Sequence, residues 1–362
     1  MSRTIYYIDL EREKRNTAGA KAPDDISKFC MLRGYNRFIV PNFPVEKSKI
    51  YKKAWLLFTC TGWWKKLEKT VKDGDIVIYQ HPMYGKRIAS HMIRDIQKRK
   101  KCKFIAIIHD LESLRGGIEG VIKENEKTSI YGDNELLKCF DAIICHNAYM
   151  KKYLVNNGIE ATKIVNLEIF DYISDFCREK SQKQSVPTII IAGNLALGKC
   201  AYIYDICNGE YNKDLIVNLY GNNFEKDKNI NFQLKWRGSY KPDELPLYLE
   251  GDFGLVWDGS SADTCAGNTG KYLRYNNPHK TSLYLATGIP VIVWKQSAIA
   301  DFVVKNKVGI AVDNLHNLDN IISEIDKTTY YELCENAKKI SLKLRKGHFF
   351  YSALDKALEI VE

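Results

Sequence analysis

The chain has 362 residues, 45% of them hydrophobic and 27% charged, with a formal net charge of +10. That length suits two cores rather than one, and that balance excludes a disordered chain. Apolar runs such as Ile76 to Tyr79, Phe104 to Ile108 and Val291 to Trp294 fall far short of the roughly 20 residues of a membrane span, so none is expected.

The N-terminal MSRTIYYIDL lacks the basic and long apolar regions of a secretory signal, which predicts a cytoplasmic protein. Ten cysteines are scattered without a CxxC pair and the seven histidines are dispersed, so the thiols read as reduced and no metal cluster is visible. The basic surplus admits nucleic acid, an anionic membrane face or an anionic substrate. Its densest run, Lys98 to Lys103, reads as a solvated helix end or as a contact for anionic headgroups.

In chain order, strands are predicted at Thr4–Asp9, Arg37–Val40, Ile76–Gln80, Phe104–Ile108 and Ala142–Cys145. Helices should separate them; Ile88–Arg99 keeps Ile88, Met92, Ile93 and Ile96 on one face. Polar REKSQKQSVP (178–187) marks a linker, after which strands are predicted at Thr188–Ala192, Leu215–Tyr220, Phe253–Trp257, Val291–Trp294 and Gly309–Val312. Helical patterns at Tyr330–Leu344 and Phe350–Val361 finish the chain. This is an α/β fold, two successive Rossmann-like domains, 1–178 and 179–345, with 346–362 returning to the first. Such sheets bind ligands at the carboxyl ends of their strands, and two of them facing one another form a cleft.

The richest segment is YNNPHKTSLYLATGIPVIVW, Tyr275 to Trp294. Pro278 suits the first turn of a helix, Asn277 can cap it and Gly288 ends it before a buried strand. It is either an ordinary capped helix or a phosphate cradle, in which free N–H groups, the helix dipole and Lys280 favour an anion. In the first half, IAIIHDLESLRGG places His109 and Asp110 directly after a buried strand, and NTAGAKAPDDI reads as a small-residue loop before a helix. Both admit purely structural readings. The Trp63-Trp64 pair looks exposed, and most of the 22 tyrosines should be core.

NPHK, the short helix, GIPVIVW and then SAIADFVVKNKVGIAV together resemble the donor-binding segment of bacterial GT-B glycosyltransferases of the β-1,6-galactofuranosyltransferase and glucosyltransferase 3-like family. IAGNLALGK, NLYGNN, WRGSYKPDELPLYL and FGLVWDG precede it in matching order, and HDLESLR resembles the family's HDxxxLR signature.

The resemblance implies a nucleotide-diphosphate donor held by Gly193, Asn194, Tyr220, Asn277, His279, Lys280 and Ser282. It implies Asp110 as the base that takes the acceptor proton, with Glu112 second and His109 as orienter or alternative base. Acceptor contacts are expected from Gly19, Lys21, His81, Tyr84 and Arg115, unless Arg115 simply pairs with Glu112. KTSLYLATG carries no carboxylate where many retaining relatives of this fold have one, which favours inversion. No DxD motif sits in a fitting place, so no metal and no cofactor beyond the UDP-sugar donor is expected. UDP-galactofuranose is the expected donor, with UDP-glucose, UDP-N-acetylglucosamine or a non-catalytic glycan-binding role as alternatives. The resemblance further implies surface polysaccharide synthesis (O-antigen or capsule), lipid-linked acceptors at the inner membrane face, peripheral membrane contact and a homo-oligomer, without nucleic acid.

Overall fold

The computed structural model describes residues 3–11, 18–115, 127–179, 183–207, 210–225 and 233–362. The chain divides into two compact units, one of residues 1–15, 23–167 and 350–362, the other of residues 16–22 and 168–349.

In the first unit β1 (Ile5–Leu10), β2 (Asn36–Val40), β3 (Ile76–His81), β4 (Lys103–Ile108), β5 (Ala142–Cys145) and β6 (Ile164–Asn166) form one parallel sheet in the order β2-β1-β3-β4-β5-β6. All six residues of β3 and all four of β5 are buried. A strand covered by helices on both faces is buried along its length and mostly apolar, and Gln80 and His81 at the carboxyl end of β3 are buried polar exceptions. The helix Lys86–Lys100 buries Ala89, Ser90, Ile93 and Ile96 and ends with Lys98, Arg99 and Lys100 in its last turn. There Lys100 caps the neighbouring carbonyls of Glu68 and Val71, and Arg99 pairs with Glu68 at 3.0 Å, so part of the basic run serves as helix-end chemistry. Residues 350–362 join this unit through Arg33, which pairs with Asp355 and lies over the Tyr351 ring.

The second unit has β7 (Thr188–Ala192), β8 (Ile216–Tyr220), β9 (Leu234–Gly238), β10 (Phe253–Val256), β11 (Val291–Trp294) and β12 (Gly309–Val312), again all parallel. Its order, β12-β11-β10-β7-β8-β9, is that of a Rossmann sheet. The core on this sheet gathers Ile189, Leu219, Leu255, Trp257 and Ile292. No described helix is long and apolar enough to cross a membrane.

Three expectations change. Trp63 and Trp64 are buried, stacked at 4.4 Å, with Trp64 reaching Tyr79 and Phe104. Their helix, Thr61–Thr70, also buries Leu67, one turn on from Trp63, which makes the pair part of an apolar face. Gly19 and Lys21 lie within the helix Ala18–Leu32 rather than in a loop; Asn16 and Thr17 of the same segment lie outside the described residues. Strands β6 and β9 were not expected, because β6 has only three residues and β9 exposes Lys235, Trp236 and Arg237. Residues 180–182 of the expected linker, and Gly116 and Gly117 after HDLESLR, also lie outside the described residues.

Candidate functional site

In the second sheet the strand order reverses between β7 and β10, and a parallel sheet opens a crevice beyond the carboxyl ends of its strands at such a point. The helix His279–Ala286 packs there. Tyr284 fixes it: its hydroxyl accepts from the Ala192 N–H at 2.8 Å and donates to the Ile190 carbonyl at 3.3 Å, both on β7. The Tyr284 ring lies against Gly254 of β10, where an added Cβ would stand 2.2 Å from it. Beside it the turns after β7 and β8 touch backbone to backbone. Gly193 N–H donates to Tyr220 O at 2.9 Å, and a Cβ on Gly221, at φ +147°, would lie 1.8 Å from Gly193 O. Only glycine fits there.

The helix begins one residue later than expected. Pro278 is the cap, with His279 first in the helix, and Asn277 donates instead to the Glu168 carbonyl at 3.0 Å. Within the first turn His279 Nε2, Thr281 Oγ1 and Ser282 Oγ are buried and have no hydrogen-bond partner among the described residues. Buried polar atoms are ordinarily satisfied, so three in one helix turn mark a place for a polar ligand. His279 lies against the Phe170 and Tyr172 rings, and burial, then the nearby Lys21 charge, push its imidazole down to about 3. It is therefore neutral.

Lys280 donates to the Trp257 carbonyl and to Asp258 Oδ1, both at 2.7 Å, at the end of β10. Burial lowers its affinity for the proton, but its neighbours, Asp258 foremost with Cys200 and Tyr284, together raise it, and the ammonium is held above its ordinary value. Lys199 approaches the other oxygen of Asp258 at 3.8 Å, so two lysines share one carboxylate and the cluster keeps one net positive charge. Asn194 bonds Asn223 at 2.9 Å across the turns after β7 and β8, whereas the Tyr220 hydroxyl is taken by the Glu250 N–H at 3.0 Å. Gly193 and Asn194 thus stand on the turn beyond β7, with Lys280 and Ser282 in the first turn of the helix tied to that strand, while the side chains of Tyr220 and Asn277 are engaged with backbone groups of Glu250 and Glu168. Among the described residues no three His, Cys, Asp or Glu side chains gather as metal ligands would.

In the first unit the turn after β4 carries His109 and Asp110, and Glu112 opens the short helix Glu112–Arg115. Asp110 pairs with Arg115 at 3.1 Å and Glu112 with Lys86 at 2.5 Å, so Arg115 takes Asp110 rather than Glu112. Lys86 also reaches the buried Asp133 at 2.6 Å, and Asp133 accepts from the Ser113 N–H at 2.9 Å and meets His81 Nε2 at 3.1 Å. Burial pushes the Asp133 carboxyl up, yet His81 and Lys86 outweigh it and hold it at about 2. His81 is fully buried on that carboxylate, while Tyr84 is exposed and stacks on Phe43 at 3.9 Å. Of the expected acceptor contacts, Tyr84 and Arg115 present themselves to solvent in this unit. Lys21 belongs with the second unit, where its ammonium bonds the Ile173 carbonyl at 2.8 Å and Asp243 at 2.7 Å; Gly19, on the same helix, is exposed.

Sequence reasoning missed Thr281, Asp258, Tyr284, Lys86 and Asp133. Thr281 and Tyr284 stood inside the singled-out segment, but nothing in a sequence tells which hydroxyl ends up without a partner. A depression of about 880 Å³ also opens in the first unit among Arg3, Arg94, Lys101, Lys103 and Lys163; it lies at the amino ends of the strands, away from this chemistry.

The model of the glucosyltransferase 3-like N-terminal domain matches residues 4–169, and that of the C-terminal domain of the same family matches residues 189–357. The chain is 33% identical over 364 residues to the β-1,6-galactofuranosyltransferase WbbI of Escherichia coli K12, covering 98% of each. It is 24% identical to glucosyltransferase 3 of Streptococcus gordonii over 94% of each chain. Among solved structures, Anabaena HepE in complex with UDP and glucose superposes with a TM-score of 0.59 at 12% identity, covering 98% of this chain and all of that one. Sucrose-phosphate synthase of Thermosynechococcus elongatus superposes with 0.62 at 11% identity, covering 99% and 97%. With both family domains matched and the two Rossmann-like sheets in place, the chain belongs to the glucosyltransferase 3-like family and is a glycosyltransferase of the GT-B fold.

Proposed function

We propose that the protein transfers galactofuranose from UDP-galactofuranose to a hydroxyl of a glycan acceptor, with inversion at the sugar carbon and without a metal. The observation that carries the donor half is the buried first turn of the helix His279–Ala286, where Nε2 of His279, Oγ1 of Thr281 and Oγ of Ser282 have no partner among the described residues. Those groups, the positive end of the helix and the one net charge of the Lys280, Lys199 and Asp258 cluster suit a diphosphate. As the bond from the sugar carbon to the diphosphate oxygen breaks, negative charge grows on the leaving group. Fixed donors and a positive centre stabilise that charge without reorganising.

The proton of the acceptor hydroxyl goes to Asp110, at the carboxyl end of β4, as its oxygen bonds to the sugar carbon. The galactofuranose donor is supported by the similarity to WbbI, and the uridine nucleotide also by HepE, whose structure holds UDP and glucose. The setting we assign is surface polysaccharide synthesis in the cytoplasm, at the inner membrane face, on a lipid-linked acceptor.

The test is thermal stabilisation of the purified protein by a panel of nucleotides and nucleotide sugars in EDTA, followed by transfer assays with UDP-galactofuranose, UDP-glucose and UDP-N-acetylglucosamine on a panel of glycans. Stabilisation by UDP and transfer of galactofuranose alone are expected. Stabilisation without transfer of any sugar would favour a non-catalytic glycan-binding role, and transfer of glucose would replace the donor assignment.

A further inference from the structure

A continuous chain of polar groups crosses the first unit at the point where its sheet reverses, between β1 and β3. Arg37 of β2 donates through Nε to Asp9 Oδ2 on β1 at 2.8 Å. Ser27 Oγ lies 3.0 Å from Asp9 Oδ1, Gln80 Nε2 on β3 lies 3.0 Å from Ser27 Oγ, and Gln80 Oε1 lies 2.8 Å from His109 Nε2. Asp9, Ser27 and Gln80 are all buried.

The direction of every bond follows from one end. A carboxylate beside a guanidinium only accepts, so the Ser27 hydroxyl donates to Asp9 and its lone pair is left to accept. It accepts from the Gln80 amide NH2, which turns the Gln80 oxygen toward His109. His109 Nε2 must then carry the proton that Gln80 accepts. In the neutral ring the remaining lone pair sits on Nδ1, and that atom is buried from solvent. A nitrogen so placed cannot take a proton from an incoming acceptor. Asp110, the next residue, is partly exposed.

Backbone bonds anchor the same turn: His109 N–H donates to His81 O at 2.8 Å. We propose that Gln80 is a positioning residue: with Ser27, Asp9 and Arg37 behind it, it holds His109 as the Nε2–H tautomer and thereby fixes the turn that carries Asp110. The catalytic part of this assignment rests on the proposed transfer reaction; the tautomer does not.

The experiment uses the full chain labelled with 15N at histidine, whose long-range proton–nitrogen correlations report which ring nitrogen is protonated. The His109 signals are assigned by their loss in His109→Asn. In the wild type Nε2 should carry the proton and Nδ1 should not. Gln80→Met removes the acceptor, and Ser27→Ala, the milder variant should the first fail to fold, frees the Gln80 amide to reverse. Either should convert the pattern to a mixture of tautomers. In transfer assays both should lower kcat by roughly 10- to 100-fold, the cost of a misplaced catalytic group, with the donor KM unchanged. A wild-type ring protonated on Nδ1, or a folded Gln80→Met with the wild-type ring pattern and full kcat, overturns the proposal. A wild type that transfers no sugar would instead sink the proposed reaction, while the ring pattern still decides the tautomer.

Discussion

A hydroxyl buried without a hydrogen bond costs a protein roughly 1–3 kcal/mol, and the first turn of the helix His279–Ala286 holds two, on Thr281 and Ser282. If they serve a diphosphate, removing one removes a cost to the fold and a contact to the ligand together. Ser282→Ala should therefore leave the melting temperature of the nucleotide-free protein unchanged or raised, while calorimetry shows UDP binding weakened by about tenfold or more, the worth of one hydrogen bond to a charged group. Lost stability with unchanged affinity would assign the hydroxyl to the fold instead. His279 in the same turn makes a pH-dependent prediction. Its folded imidazole is held down to about 3 against an ordinary 6.5, so between those values the unfolded chain binds a proton that the folded one does not. Its stabilising share is complete above about pH 6.5 and falls as pH drops from there toward 3. Urea titrations at pH 7, 6 and 5 should show His279→Asn with a shallower loss, by up to about 1.4 kcal/mol per pH unit. The buried His146, also held down to about 3 by burial, supplies a second such slope that remains in the variant.

At the level of elements, the placement of that helix depends on Gly254. The Tyr284 ring occupies the space a side chain on β10 would fill, and its hydroxyl ties the helix to β7. Gly254→Ala should lower stability by about 1–3 kcal/mol through overpacking, and the displaced helix should also bind UDP less well. A melting temperature equal to the wild type would show that the helix can move without consequence. Most of this architecture is legible in the sequence because buried parallel strands are short apolar runs; β7, β11 and β12 stand at the residues expected of them. Edge strands carry no such signal, which is why β9, with its exposed Trp236, is absent from the strands expected of the sequence. The segment around Lys280 was legible as a helix start, but its partner was not. Asp258 lies 22 residues away in the chain, just beyond β10, and meets Lys280 where the helix packs on that strand. Nor does spacing show that Ser27 and Gln80, 53 residues apart, share a hydrogen bond. The sequence points to strands and helix starts because their signals are local, whereas the partners of a polar side chain are set by topology.

For the molecule as a whole, the net charge of +10 has to be weighed against how its basic groups are used. Lys280 and Lys199 share Asp258, Lys86 holds Asp133 and Glu112, Lys21 holds Asp243, and Arg99 holds Glu68. A surface that binds polyanions without selectivity would respond to any nucleic acid and lose that response steeply with salt. A built donor site responds to one small anion and does so in the presence of EDTA. A ligand that binds only the folded state stabilises it by about 2.7 kcal/mol at a hundred times its dissociation constant, which for a unit of this size is a rise of roughly 5–10 °C. UDP should give that rise in the wild type with EDTA present, and Lys280→Ala, which leaves Asp258 without its nearest cation, should lose most of it. Hydrogen exchange locates the effect: protection by UDP is expected in residues 193–200 and 277–286, the two segments bordering the crevice at the sheet's reversal. Protection confined to other segments would move the donor site away from the helix on which the proposed reaction depends.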